Sequence, residues 1–170
     1  MKRSPLVIGC GNRDRGDDAA GLIVAGKLRR LGVNAVDCSG ETSTLLELWR
    51  TASDVIVVDS VATGAPPGTI HMWDVARLTV PRKSGRSTHG LGLAHAIDLA
   101  RALHRLPGRL LVVGIEARNL EIGSHLSQEV QQAVSTLVRN QLCTSRVSTT
   151  GSPSNSKTVW RFSFTMGCTQ

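Results

Sequence analysis

The chain has no tyrosine, and only two phenylalanines and three tryptophans in 170 residues. It therefore lacks the aromatic platforms on which proteins that grip single-stranded nucleic acid stack the bases. Its four cysteines, Cys10, Cys38, Cys143 and Cys168, lie far apart with no C-x-x-C pair, which disfavours a zinc ribbon and a C-x-x-C redox motif. No apolar stretch approaches the roughly 20 residues needed to span a bilayer, and no charged and apolar leader precedes the first hydrophobic run. A reduced, cytoplasmic setting without a membrane partner is the expectation. Acid is also in short supply, leaving a net charge of +7. The bases are scattered as single residues or pairs such as Arg29-Arg30 and Arg82-Lys83, not gathered into a stripe, so nucleic acid is not an expected partner.

What the chain does have is alternation. Runs rich in Val and Ile bounded by turn residues read as buried strands at about 5–9, 34–38, 54–60 and 109–117, and apolar spacings of three and four read as helices at about 17–31, 44–50, 90–106 and 126–142. Leu22, Ile23, Leu28 and Leu31 are the expected inward face of the first helix, and Leu126, Val130, Val134, Leu137 and Val138 that of the last. Residues 69–73 read as an edge strand because no helix precedes them. This order predicts an α/β protein of three layers, α/β/α, with a mostly parallel twisted sheet and helices on both faces. One domain is expected over 1–142. The Ser/Thr-rich stretch 143–170 has no periodicity and reads as a flexible tail. Nothing in the sequence demands more than a monomer.

Ligands of such sheets lodge beyond the carboxyl ends of the strands, where strand order reverses. The segment "VIGCGNRDRGDDAAG", residues 7–21, supplies the first of these ends. It is glycine-rich, yet the third glycine of a dinucleotide fingerprint falls on Asp14, and Asp14, Asp17 and Asp18 would repel a pyrophosphate. One aspartate at a helix start is explained by capping; with Asp17 as the cap, Asp18 is left to point into the crevice. Asp59 closes "VIVVD" on a central strand, and His89 enters in "STHGLGL" from the loop before the following helix. Asp18, Asp59 and His89 thus meet at one sheet edge as two carboxylates and an imidazole, a three-ligand set that leaves coordination positions open on a transition metal. Glu116, at the end of the last strand, reads as a loop-capping acid or as a further group facing the crevice.

The stretches "GCGNRDRGDDAAG", "VIVVDSVATGAPPGTIHMWD", "STHGLGLAHAIDLA" and "GIEARNLEIGSHLS" occur here in order, and as a set the chain resembles the hydrogenase maturation endopeptidases over residues 4–142. The resemblance implies a five-stranded sheet and a protease that removes the C-terminal extension of a [NiFe]-hydrogenase large-subunit precursor. It implies that Asp18, Asp59 and His89 contact a nickel carried by that substrate, and leaves open whether a metal also stays bound to the enzyme between turnovers. Asn12, Asp14 and Asp17 fall in the same motif; Asp14 or Asp17 is the expected catalytic base. On this reading the glycines let backbone approach the substrate-borne metal closely, and the acid contributes a ligand. Ala19 departs from the pattern, standing where the family more often has glycine. Two other readings stay open: a non-cleaving, metal-checking or chaperone-like partner of the same fold, and a hydrolase using Ser60 or Ser87 with His89, disfavoured because no nucleophile elbow is present.

Overall fold

The computed structural model describes residues 4–76 and 88–140, and for 88–91 the backbone alone. Ser87, the ring of His89 and the expected tail at 143–170 lie outside the described residues.

Five strands form one sheet: β1 (Leu6–Cys10), β2 (Ala35–Cys38), β3 (Asp54–Val61), β4 (Ile70–Asp74) and β5 (Arg109–Glu116), in the order β2-β1-β3-β5-β4. β1 pairs in parallel with β2 and β3, and β3 in parallel with β5; β4 alone runs antiparallel, on the outer edge of β5. The composition of each strand follows its position. β3 and β5 are buried on both faces and read as nearly continuous Val, Ile and Leu, whereas all five residues of β4 are only half-buried, as an edge permits.

Helices α1 (Ala20–Arg30) and α4 (Gln128–Arg139) cover one face, where Val24, Ala25, Leu28, Val130, Val134 and Leu137 pack on Val7, Ile56, Val58 and Val113. Helices α2 (Thr42–Trp49) and α3 (Thr88–Ala102) cover the other, burying Leu45, Trp49, Leu93 and Ile97 against Ile8, Val55, Val57 and Val112. The α/β/α architecture is as the alternation implied. Because the chain passes from β1 to β2 on one side and then returns to place β3 on the other, strand order reverses between β1 and β3. The crevice above that pair is where a ligand is expected.

Three details correct the sequence reading. α1 does not begin at Asp17: a single 3-10 turn, Gly16–Ala19, precedes it, and Ala19 occupies its N-cap position. Leu31, expected inside, follows the helix and is 56% exposed, while Val24 and Ala25 take the buried places. α3 starts at Thr88, so the backbone of His89 belongs to the first turn of the helix and not to the loop before it.

The glycines of the first turn are also required by the protein's own packing. A Cβ on Gly21 would sit 2.3 Å from the carbonyl oxygen of Val58 and 2.4 Å from that of Cys10; the absence of a side chain there lets α1 lie directly on β1 and β3. Gly11, at φ +141°, leaves room for the carbonyl of Asp18, which a Cβ would meet at 1.8 Å. These residues bring the protein's own backbone segments together, a requirement independent of any substrate.

Candidate functional site

The crevice between β1 and β3 is lined by acid that the fold has buried. Asp18, on the 3-10 turn, is 0% exposed, and Asp59 and Ser60, near the end of β3, are 2% and 1% exposed. The Ser60 hydroxyl donates to Asp18 Oδ1 at 2.8 Å. The backbone N–H of the same serine donates to Asp59 Oδ1, also at 2.8 Å. Asp18 Oδ2 is buried and finds no hydrogen-bond partner among the described residues. A carboxylate oxygen in that state is costly, since burial removes its water without replacing the lost hydrogen bonds. Buried unsatisfied atoms are rare enough that each calls for an account, and an exogenous cation or donor is one.

Asp17, the neighbour of Asp18, has the opposite character. Its Oδ2 accepts the backbone N–H groups of Arg118 and Asn119 at 2.8 and 2.9 Å and the Ser127 hydroxyl at 2.9 Å, while Oδ1 accepts the Ser127 N–H at 2.6 Å. Asp17 therefore caps no helix of its own. Its carboxylate lies at the start of α4, whose N-cap residue is Ser127, and binds the β5–α4 loop down. That loop answers with its own contacts: Asn119 accepts the Asp17 N–H at 2.9 Å, Gly123 donates to the Asp14 carbonyl at 2.8 Å, and Arg15 donates to the Leu120 carbonyl at 3.3 Å. Gly16, at φ +51°, sits against this loop, where a Cβ would meet Ser124 Oγ at 2.2 Å.

Asp14 lies at the outer rim and is exposed. Its backbone N–H donates to Asn12 Oδ1 at 2.9 Å, so Asn12 shapes the turn through a local side-chain bond. Glu116 is the loop-capping acid: Oε1 accepts the N–H groups of Thr63 and Gly64 at 2.7 and 2.9 Å, and Oε2 accepts the Thr63 hydroxyl at 2.8 Å and faces His71 Nε2 at 3.1 Å. The His71 ring stacks on Trp73, with centroids 5.3 Å apart. Both rings project from β4, which the sequence marked as an edge without signalling this pairing.

Below the crevice floor, Cys10 and Cys38 are register partners at the ends of β1 and β2. Both are buried and neither forms a disulfide. The Cys38 thiol is pulled down from its ordinary value to about 7 by the Cys10 thiol bonded to it and by the Gly40 N–H, against the opposing effects of burial and of the Asp59 and Glu41 charges. The Gly40 N–H lies 3.3 Å from the Cys38 sulfur.

The structure thus brings together Asp18 and Asp59, two of the three expected ligands, through Ser60. Among the described residues no group of three or more His, Cys, Asp and Glu side chains is arranged to hold a metal; the ring of the third ligand, His89, is not in that set. The serine-hydrolase alternative loses Ser60, whose hydroxyl is buried and committed to a carboxylate.

The sequence model of a family described as hydrogenase maturation protease matches residues 28–143. The chain belongs to that family. A protein of Methanocaldococcus jannaschii named as a hydrogenase maturation protease is 30% identical over 142 residues, covering 78% of this chain and 90% of its own length. The hydrogenase expression/formation protein HupD of Thiocapsa roseopersicina is 29% identical over 153 residues, covering 84% and 68%. Among solved structures, the hydrogenase maturating endopeptidase HybD from E. coli superposes with a TM-score of 0.72 at 23% identity, over 83% of this chain and 91% of that one. As a member of a hydrogenase maturation protease family the chain is an enzyme of hydrolytic type, which sets aside the non-cleaving alternative. No described helix is long and apolar enough to cross a membrane.

Proposed function

We propose that this hydrogenase maturation protease removes the C-terminal extension of a [NiFe]-hydrogenase large-subunit precursor after nickel has been inserted, and that it reads the nickel carried by that substrate through Asp18, Asp59 and His89. The observation that carries the reading is Asp18 Oδ2, a buried carboxylate oxygen without a hydrogen-bond partner among the described residues, at the sheet edge where strand order reverses. Oxygen donors from two aspartates with an imidazole fit a borderline divalent ion that keeps positions for its own protein. Discrimination between loaded and empty precursor then comes from the free energy of completing a coordination shell that the empty precursor does not present.

Of the two carboxylates expected to act as base, Asp14 is the one exposed to solvent, which favours it as the group that takes a proton from the water attacking the scissile carbonyl. Asp17 has its oxygens committed to Ser127, Arg118 and Asn119. Its part is to hold the turn that presents Asp18.

Incubating the purified protein with nickel-loaded and with nickel-free precursor, and following loss of the C-terminal peptide by mass, tests the proposal. Only the loaded form should be cut, and Asp18→Ala, Asp59→Ala and His89→Ala should each abolish cutting. Equal processing of both forms would overturn the nickel read-out, and an active variant would remove its residue from the ligand set.

A further inference from the structure

We propose that Ser60 is the positioning residue of this site, fixing both carboxylates so that Asp18 offers a ligand one oxygen, Oδ2, in one orientation. The inference rests on the reading of Asp18 and Asp59 given above and goes beyond it. Asp18 and Asp59 come from different segments, one from the turn after β1 and the other from β3. Two buried carboxylates sharing a crevice repel each other. Ser60 supplies a donor to each: its hydroxyl to Asp18 Oδ1 and its N–H to Asp59 Oδ1, both at 2.8 Å. It lies two residues beyond Val58, the last residue of β3 paired with β1, where the backbone is released from that ladder while the pairing with β5 continues to Val61 and keeps it rigid.

The main-chain donor would survive any substitution except proline, so the chemistry particular to serine is the bond to Asp18. With Oδ1 held, rotation of the carboxylate about its Cβ–Cγ axis is restrained, and Oδ2, without a partner among the described residues, stays aimed where the first bond leaves it. Groups that orient a ligating side chain in this way typically alter metal affinity or activity by about 10-fold to 100-fold when removed.

The test uses the full chain with Ser60→Ala and Ser60→Thr. Steady-state processing of nickel-loaded precursor should show KM raised on the order of 10-fold in Ser60→Ala, with kcat changed much less. Ser60→Thr, which keeps a hydroxyl, should return KM to within about threefold of wild type, the rest being the ordinary cost of a repositioned ligand. A merely structural loss would do something else: it would reduce the fraction of active enzyme, lowering apparent kcat and leaving KM alone. Calorimetric titration with Ni2+ alone should give the same ranking of affinities, wild type and Ser60→Thr above Ser60→Ala. If Ser60→Ala keeps the wild-type KM in a working assay, or if a folded Ser60→Thr is as impaired as Ser60→Ala, the positioning role is overturned while the proposed function stands. Should wild type fail to process loaded precursor, the proposed function falls, and the Ni2+ titration decides the role of Ser60. Equal affinities, or no binding by any of the three proteins, would then overturn it.

Discussion

Two adjacent aspartates with the same burial do opposite jobs, and the difference lies in their hydrogen bonds. Asp17 accepts four, three of them from backbone N–H groups. Asp17→Ala strands those donors, so unfolding by urea should show a loss of about 3 kcal/mol, the scale for bonds to a charged acceptor left unmade. Asp18 accepts the Ser60 hydroxyl, and its second oxygen finds no hydrogen-bond partner among the described residues. Asp18→Ala removes a partly compensated buried charge, and the same measurement should place it within about 1 kcal/mol of wild type, although processing is lost. Cys38 gives a pH dependence of definite sign. Its thiol titrates near 7 in the fold and near 8.5 in an unfolded chain, so between those values the unfolded state binds more protons and stability rises with pH. That contribution is complete above about pH 9 and is lost as pH falls through 7. Denaturation midpoints measured from pH 6.5 to 9 should climb more steeply for wild type than for Cys38→Ala; parallel curves would show that the thiolate contributes nothing.

At the scale of elements, the contrast between two glycines of α1 separates packing from propensity. Gly21→Ala drives a methyl group into the carbonyl oxygens of Val58 and Cys10, atoms of the sheet that cannot yield. It should cost about 3 kcal/mol or more, the upper range for overpacking. Gly26 has open space where its Cβ would be, and Gly26→Ala should stabilise by about 0.5–1 kcal/mol because alanine loses less backbone entropy in a helix. Thermal melts of the two variants check both signs. The same contrast explains what the sequence disclosed. The strands were legible because Val and Ile runs mark segments buried on both faces, and Val130, Val134 and Leu137 were legible because helical spacing is a local property. The purpose of Gly11, Gly16 and Gly21 was not, since it depends on which backbone lies opposite. Asp17 was misassigned for a related reason: an aspartate before a helix looks like that helix's cap, yet its partner Ser127 is 110 residues away. That Asp18 and Asp59 lie buried at neighbouring strand ends was legible because a second aspartate at one helix start exceeds what capping explains and Asp59 closes a continuous apolar run. Ser60 was missed as their link because a serine in a strand carries no distinguishing local signal.

At the scale of the whole molecule, the turn after β1 and the loop after β5 are one unit folded over the end of the sheet, although about a hundred residues separate them in the chain. Asp17 N–H bonds to the Asn119 carbonyl, Gly123 N–H to the Asp14 carbonyl, and Arg118 and Asn119 N–H to the Asp17 carboxylate. Each of these bonds joins one segment to the other, so the two segments lose these partners together. β1, β3 and β5 beneath them, by contrast, are paired on both sides, and β3 and β5 are buried on both faces. Native-state hydrogen exchange should therefore resolve two levels of stability. The amides of Asp17, Arg118, Asn119 and Gly123 should share one opening free energy to within about 0.5 kcal/mol, and it should lie below that of Val57 and Val112 in the sheet centre. Asp18 is carried on this unit, so an opening at that lower level would make the buried carboxylate reachable. If the loop amides exchange rapidly while the Asp17 amide is as slow as the sheet, the two segments move separately and do not form one unit.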